Sequence, residues 1–150
     1  MSEKIDFAGI NLFAPLTANQ LEELAKITDY VECEEDCKLF STGEAAGDVF
    51  VLLEGKVSIQ VQLSSRPEKI DIVVLSQKGQ LIGWSGLLGK THYTASGICQ
   101  GDTKLLQIDG SAFMKVLESD KEAGFTVLAS IMQIVSNRLR NLQGVVLKTM

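Results

Sequence analysis

Residues 82–95 read Ile82-Gly83-Trp84-Ser85-Gly86-Leu87-Leu88-Gly89-Lys90-Thr91-His92-Tyr93-Thr94-Ala95. Ser85 and Thr94 offer hydroxyls, and Lys90 and His92 offer charge, but neither of those two has the planar two-pronged geometry of a guanidinium. Trp84 and Tyr93 bring two large aromatic faces into the same stretch. Such a pair either floors a pocket for an aromatic or apolar ligand or fills the space and closes it. His92 is the chain's single histidine, so a cluster of histidine metal ligands on adjacent strands is excluded.

On both sides of this stretch, from Asp29 to Asp109, the hydrophobic pattern is that of strands. Val49 to Leu53 is a short, wholly apolar run ended by Glu54-Gly55. Val57, Ile59 and Val61 alternate with Ser58, Gln60 and Gln62, the period of two expected of a strand with one wet face. Ser64-Ser65-Arg66-Pro67-Glu68 predicts a loop, Ile70 to Leu75 a β-branched strand turned by Gln77-Lys78-Gly79, and Thr103 to Ile108 a closing strand. Short strands punctuated by glycine turns predict a sandwich or jelly roll.

Helical periodicity flanks this region. Thr17-Ala18-Asn19-Gln20 is a capping box, in which the Thr hydroxyl accepts from the third helical amide and Gln20 reaches back. It predicts a helix from about Ala18 to Thr28, with Leu12, Phe13 and Leu16 packed beneath it. Phe113, Val116 and Leu117 mark a short helix, and a longer one starts near Lys121 and runs to about residue 143. Its residues Phe125, Leu128, Met132, Val135, Leu139, Leu142 and Val146 advance by alternating steps of three and four, the seam of a coiled coil. A second apolar face, Val127, Ile131 and Ile134, belongs only to the first half and gives way to Arg138 and Asn141. A helix that packs first on its own roll and then against a partner needs this pattern, so a homodimer through the seam is expected. Gly144 is expected to end or weaken the helix.

The bulk numbers fit one globular domain over residues 1–150, with 45% hydrophobic and 22% charged residues. No apolar run approaches the ~20 residues of a membrane span. The N-terminus lacks a basic segment followed by an apolar one, so a cytoplasmic location is expected. The net charge is −5, and the clearest basic cluster, Arg138 with Arg140, is read as helix-surface or packing charge rather than a nucleic-acid face. Cys33, Cys37 and Cys99 are odd in number and read as reduced, buried small hydrophobes. The C-x3-C pair lacks the further ligands that a metal or a cluster would need.

Residues 82–95 resemble the phosphate-binding cassette of cyclic-nucleotide-binding domains of the catabolite-activator type. Gly83 matches the cassette's glycine, and Thr94-Ala95 match its tail. Trp84 stands where the ribose-binding Glu belongs, and Tyr93 where the phosphate-binding Arg belongs. Phe40-Ser41-Thr42-Gly43-Glu44-Ala45-Ala46, followed by Val49 to Val57, resembles the family's strand-turn-strand core, and Asn137-Arg138-Leu139-Arg140 its long C-terminal helix. The resemblance spans roughly residues 10–143 and implies a mainly β fold with flanking helices: an eight-stranded double-stranded β-helix (jelly roll) between an N-terminal helix and a long C-terminal helix.

The resemblance also implies a ligand site built by Gly83, Trp84, Ser85, Gly86, Tyr93, Thr94 and Ala95. In the family, amides at a helix start and the Arg hold the cyclic phosphate, and here the amides near Ser85 and Gly86 are the part retained. The function expected is a regulatory small-ligand sensor that does not bind cyclic AMP in the usual way. The alternative is a ligand-free dimerisation or protein-interaction module with a plugged pocket, and an enzyme of the jelly-roll class ranks last. No cofactor or metal is expected, whereas a cyclic nucleotide or another small anionic or aromatic ligand fits. Family transcription factors continue past the long helix into a winged helix-turn-helix. This sequence stops about six residues after Gly144, so direct DNA binding is not expected.

Overall fold

The strand signals between residues 28 and 109 become two antiparallel four-stranded sheets facing each other, with a two-stranded ribbon at one end. The structure, a computed structural model, describes residues 5–62 and 68–149. Ser64, Ser65, Arg66 and Pro67 of the expected loop lie outside the described residues.

The strands are β1 (Thr28–Cys33), β2 (Lys38–Phe40), β3 (Ala45–Ala46), β4 (Asp48–Glu54), β5 (Val57–Gln62), β6 (Lys69–Leu75), β7 (Leu81–Ile82), β8 (Thr91–His92), β9 (Ser96–Cys99) and β10 (Thr103–Asp109). One sheet runs β1-β10-β4-β7, the other β2-β9-β5-β6, and β3 pairs with β8. This is the jelly roll of the expectation. The wholly apolar run in β4 has a structural reason. Val49 and Val51 face a core shared with the helices, while Phe50 and Leu52 face the inside of the roll. A strand covered on both sides loses the polar half of its alternation. In β5 the expected wet face is only partly wet. Ser58 is buried, and its hydroxyl donates to Asp71 Oδ1 at 2.6 Å.

Among the described residues three α-helices flank the roll: α1 (Ala18–Lys26), α2 (Gly110–Glu118) and α3 (Lys121–Thr149). The capping box is present, with Gln20 N donating to Thr17 Oγ1 at 3.1 Å and Thr17 N to Gln20 Oε1 at 3.0 Å. Leu12, Phe13 and Leu16 are buried in the helix-side core. Two boundaries differ from the expectation. Helix α1 ends at Lys26 rather than Thr28, because Thr28 already pairs with Ile108 as the first residue of β1 and its hydroxyl caps the Leu24 carbonyl at 2.6 Å. Helix α3 does not stop near residue 143 but continues through Gly144 to Thr149. An interior glycine costs a helix only about 1 kcal/mol, too little to end one that is otherwise continuous.

The two faces of α3 separate as the periodicity requires. Val127 and Ile131 are buried against the helix-side core, with Ile134 partly so. On the other face Phe125 and Met132 remain 74% and 72% exposed. Among the described residues no helix is long and apolar enough to cross a membrane.

Candidate functional site

Strand β7 delivers the chain to Gly83, which takes φ +75°, a left-handed conformation that a side chain strains. A Cβ there would also lie 3.2 Å from the Phe40 ring. A single 3-10 turn follows, Trp84–Leu87, in which Gly86 N donates to Gly83 O at 3.1 Å. The turn is wedged against the start of β4, so closely that a Cβ on Gly86 would collide with the Asp48 backbone. The ribbon strand β8 then hands the chain to Tyr93.

Tyr93 is built into the protein rather than held free for a ligand. Its ring stacks on Phe40 at 4.3 Å between centroids. Its hydroxyl donates to Asp48 O at 2.6 Å and accepts from Asp48 N at 3.3 Å. Burial pushes the phenol above its ordinary pKa, so it stays a neutral donor at physiological pH.

Beside this stack lies a cavity of about 280 Å³. Gly83, Trp84, Ser85, Tyr93, Thr94 and Ala95 form one wall, and Phe40, Ile59, Val61 and Ile72 form the floor. The remaining wall is α3, through Val135, Arg138, Leu139 and Leu142. Of the expected ligand residues, only Gly86 lies off this surface: its amide is engaged within the turn, and it packs on β4 instead. The seam residues divide. Val135, Leu139 and Leu142 border the cavity, whereas Phe125, Leu128 and Met132 lie elsewhere on the exposed face of α3. Lys90 and His92 are exposed on and beside the ribbon and do not line the cavity.

Arg138 is the residue that the sequence reading passed over as surface or packing charge. It is only 9% exposed. Its Nη2 donates to the Leu81 carbonyl at 2.9 Å, and the guanidinium lies 5.2 Å from the Trp84 ring centroid, over its face. The ion pairs among the described residues join Lys26 to Glu23 and Lys104 to Glu54, so Arg138 has no carboxylate partner there. Burial alone draws its pKa down to about 10, which leaves it protonated at neutral pH. A signal was available in the sequence. Arg138 falls four residues after Ile134 and seven after Ile131, on the stripe that faces the roll.

The three cysteines are free, and they gather at one edge of the roll. Cys99 N donates to Cys37 O at 2.9 Å. The Cys33 thiol is raised well above the ordinary thiol range by desolvation first and by Cys37 and Cys99 next. Among the described residues no group of three or more His, Cys, Asp or Glu side chains is arranged to hold a metal ion.

Comparison with known proteins gives a consistent picture. The sequence model described as cyclic nucleotide-binding domain matches residues 30–120. The sensor domain of the transcriptional regulator DNR from Pseudomonas aeruginosa superposes with a TM-score of 0.71 at 22% identity, over 86% of this chain and 85% of that one. A cyclic nucleotide-binding domain from Methylobacillus flagellatus KT gives 0.75 at 19% identity, over 94% and 78%. The regulatory subunit of a cAMP-independent protein kinase A from Trypanosoma brucei gives 0.71 at 17% identity, over 85% of this chain and 44% of that one. No curated protein matches the sequence.

Proposed function

The chain belongs to the cyclic nucleotide-binding domain family, and from that premise we propose that residues 1–150 act as one regulatory small-ligand sensor module that does not take cyclic AMP in the family's usual way. The observation that carries this reading is that the cassette stretch and α3 enclose one cavity. A ligand there touches both the turn that follows β7 and the helix whose other residues form an exposed apolar ridge. Trp84 offers an indole in place of a carboxylate, so ribose hydroxyls meet no acidic acceptor. Tyr93 offers a neutral phenol already bound to the Asp48 backbone. A lost charge-assisted contact removes roughly 1.5–3 kcal/mol.

The proposed output is assembly. Phe125, Leu128, Met132, Val135, Leu139 and Leu142 pair two copies of α3 about a two-fold axis, the commonest symmetry of soluble oligomers. Ligand occupancy then bears directly on the seam, because Val135, Leu139 and Leu142 belong to both. The module performs no catalysis of its own in this reading. The net charge of −5 and the burial of Arg138 speak against direct DNA contact. Three adjacent thiols left free favour the reducing cytoplasm.

A ligand-free interaction module is the second reading, favoured by the Tyr93–Phe40 stack that occupies part of the site. Native mass spectrometry of gently purified protein separates the two. A dimer mass carrying a small-molecule adduct supports the sensor. A dimer that retains nothing, and that binds nothing in a metabolite screen, supports the interaction module. A monomer at micromolar concentration overturns the assembly common to both.

A further inference from the structure

Arg138 presents a physical problem that its protein contacts do not solve. A guanidinium carries five N–H donors and a full charge. Here it is buried, and its partners among the described residues are neutral: one carbonyl oxygen, Leu81 O, and the face of Trp84. A buried cation without an anion is an arrangement that proteins avoid unless something else supplies the charge. The carbonyl and the indole fix the position of the group without neutralising it. Both flank Gly83, so the guanidinium is held at the mouth of the cassette turn.

Arg138 borders two cavities, a polar one lined by Lys78, Gln80 and Asn141 and the one it shares with the cassette stretch, and the second is largely apolar. Phe40, Ile59, Ile72 and Leu142 give it hydrocarbon and aromatic walls, Ser85, Thr94 and Tyr93 add side-chain hydroxyls, and among the described residues no carboxylate lines it. The position of the family's phosphate-binding Arg is occupied by Tyr93, whose hydroxyl is already engaged. Among the described residues Arg138 is therefore the only cationic side chain that lines this surface.

We infer that the pocket takes a small organic acid with an apolar or aromatic body, the carboxylate or an equivalent monoanion pairing with the Arg138 guanidinium. The inference rests on the sensor reading above and deepens it by naming the ligand class. The body replaces cavity water against Phe40, Ile59 and Ile72, and the acid end meets a fork already oriented by Leu81 and Trp84. A sugar-bearing nucleotide fits less well, because no acidic acceptor remains for its hydroxyls.

The test is isothermal calorimetry on the whole chain with two matched pairs of probes, phenylacetate against phenylacetamide and 2-naphthoate against 2-naphthamide. Within each pair the shape is conserved and only the charge changes. The acid of the better-fitting pair is expected to bind at least tenfold more tightly than its amide, as a charge-assisted contact implies. In Arg138→Met that preference is expected to fall to about one, and Arg138→Lys is expected to restore part of it. Equal binding of acid and amide to the wild type overturns the anion inference and leaves the sensor pocket standing. An acid preference that survives in Arg138→Met places the charge partner elsewhere and also overturns it. Failure of all four probes to bind overturns the pocket reading itself. The wild-type comparison decides between acid and amide even if a variant fails to fold.

Discussion

Replacing Met132 with Glu tests the proposed assembly without touching the pocket. Met132 is 72% exposed on a single chain and does not line the cavity. Nothing in the isolated protomer therefore depends on it, and its substitution is expected to change the stability of the fold by no more than about 0.5 kcal/mol, as for most surface sites. In a parallel two-fold pair of α3 helices it meets its own copy. Complete burial of such a side chain is worth roughly 1.5–3 kcal/mol, and since most of its surface is still available, association recovers about 1–2 kcal/mol per copy. Removing both copies costs the dimer about 2–4 kcal/mol, and two like charges facing each other across the axis add to this. Since about 1.4 kcal/mol is a decade, the dissociation constant is expected to rise by two to three decades or more. Sedimentation velocity from 1 to about 100 µM, a span set to cross that change, reads the shift, and circular dichroism melting checks the fold. A wild-type monomer throughout this range, or an unchanged dimer in Met132→Glu, refutes the seam.

The paired substitution Trp84→Glu with Tyr93→Arg restores the two charged contacts of the family pattern. It is expected to raise cyclic AMP affinity by one decade or more over a wild type that binds poorly, and calorimetry showing low-micromolar wild-type binding contradicts the reading. Arg138→Met is expected to melt at the same temperature as wild type or higher, because an apolar isostere replaces an unpaired buried charge. The pH dependence has a definite sign. The native pKa of Arg138, about 10, lies well below its ordinary value, lowered by burial. The unfolded chain therefore binds more protons between those values, and this residue's contribution to stability rises with pH through that window. Wild type should gain on Arg138→Met in urea unfolding between pH 9 and pH 11, and a constant difference argues against the burial of the charge. Gly86→Ala forces a methyl into the Asp48 backbone and is expected to cost about 1–3 kcal/mol, read from the denaturant midpoint, while an unchanged midpoint means that the turn is not seated as described.

Much of this was legible in the sequence, for identifiable reasons. The change of hydrophobic period marked the limits of the roll, and the Thr17–Gln20 box marked the start of α1, because both are local consequences of backbone geometry. The cassette residues Gly83, Trp84, Ser85, Tyr93, Thr94 and Ala95 do come together on one surface. What escaped depends on contacts distant in the chain. The burial of Arg138 is decided by Leu81 and Trp84, more than fifty residues earlier. The place of Gly86 is set by the close approach of β4, to which a local pattern is blind. Helix α1 ends before Thr28, which fits a helix locally but is claimed by β10. Gly144 does not terminate α3, because its small propensity penalty is the whole effect.

The double burial of β4 has a consequence for how the molecule opens. Val51 pairs with Leu106 on one side and with Leu81 on the other, and Leu52 N is hydrogen-bonded to Gln80 O at 2.9 Å. The strand is thus a party wall. The helix-side core leans on Val49 and Val51, and the core behind the pocket leans on Phe50 and Leu52. Neither core has a wall of its own at this position, so neither can melt separately. In native-state hydrogen exchange the central amides of β4 should exchange only with global unfolding. The surroundings of Phe40 and Tyr93 and the seat of α3 then share one opening free energy, and a fault introduced on either face of this strand should loosen both.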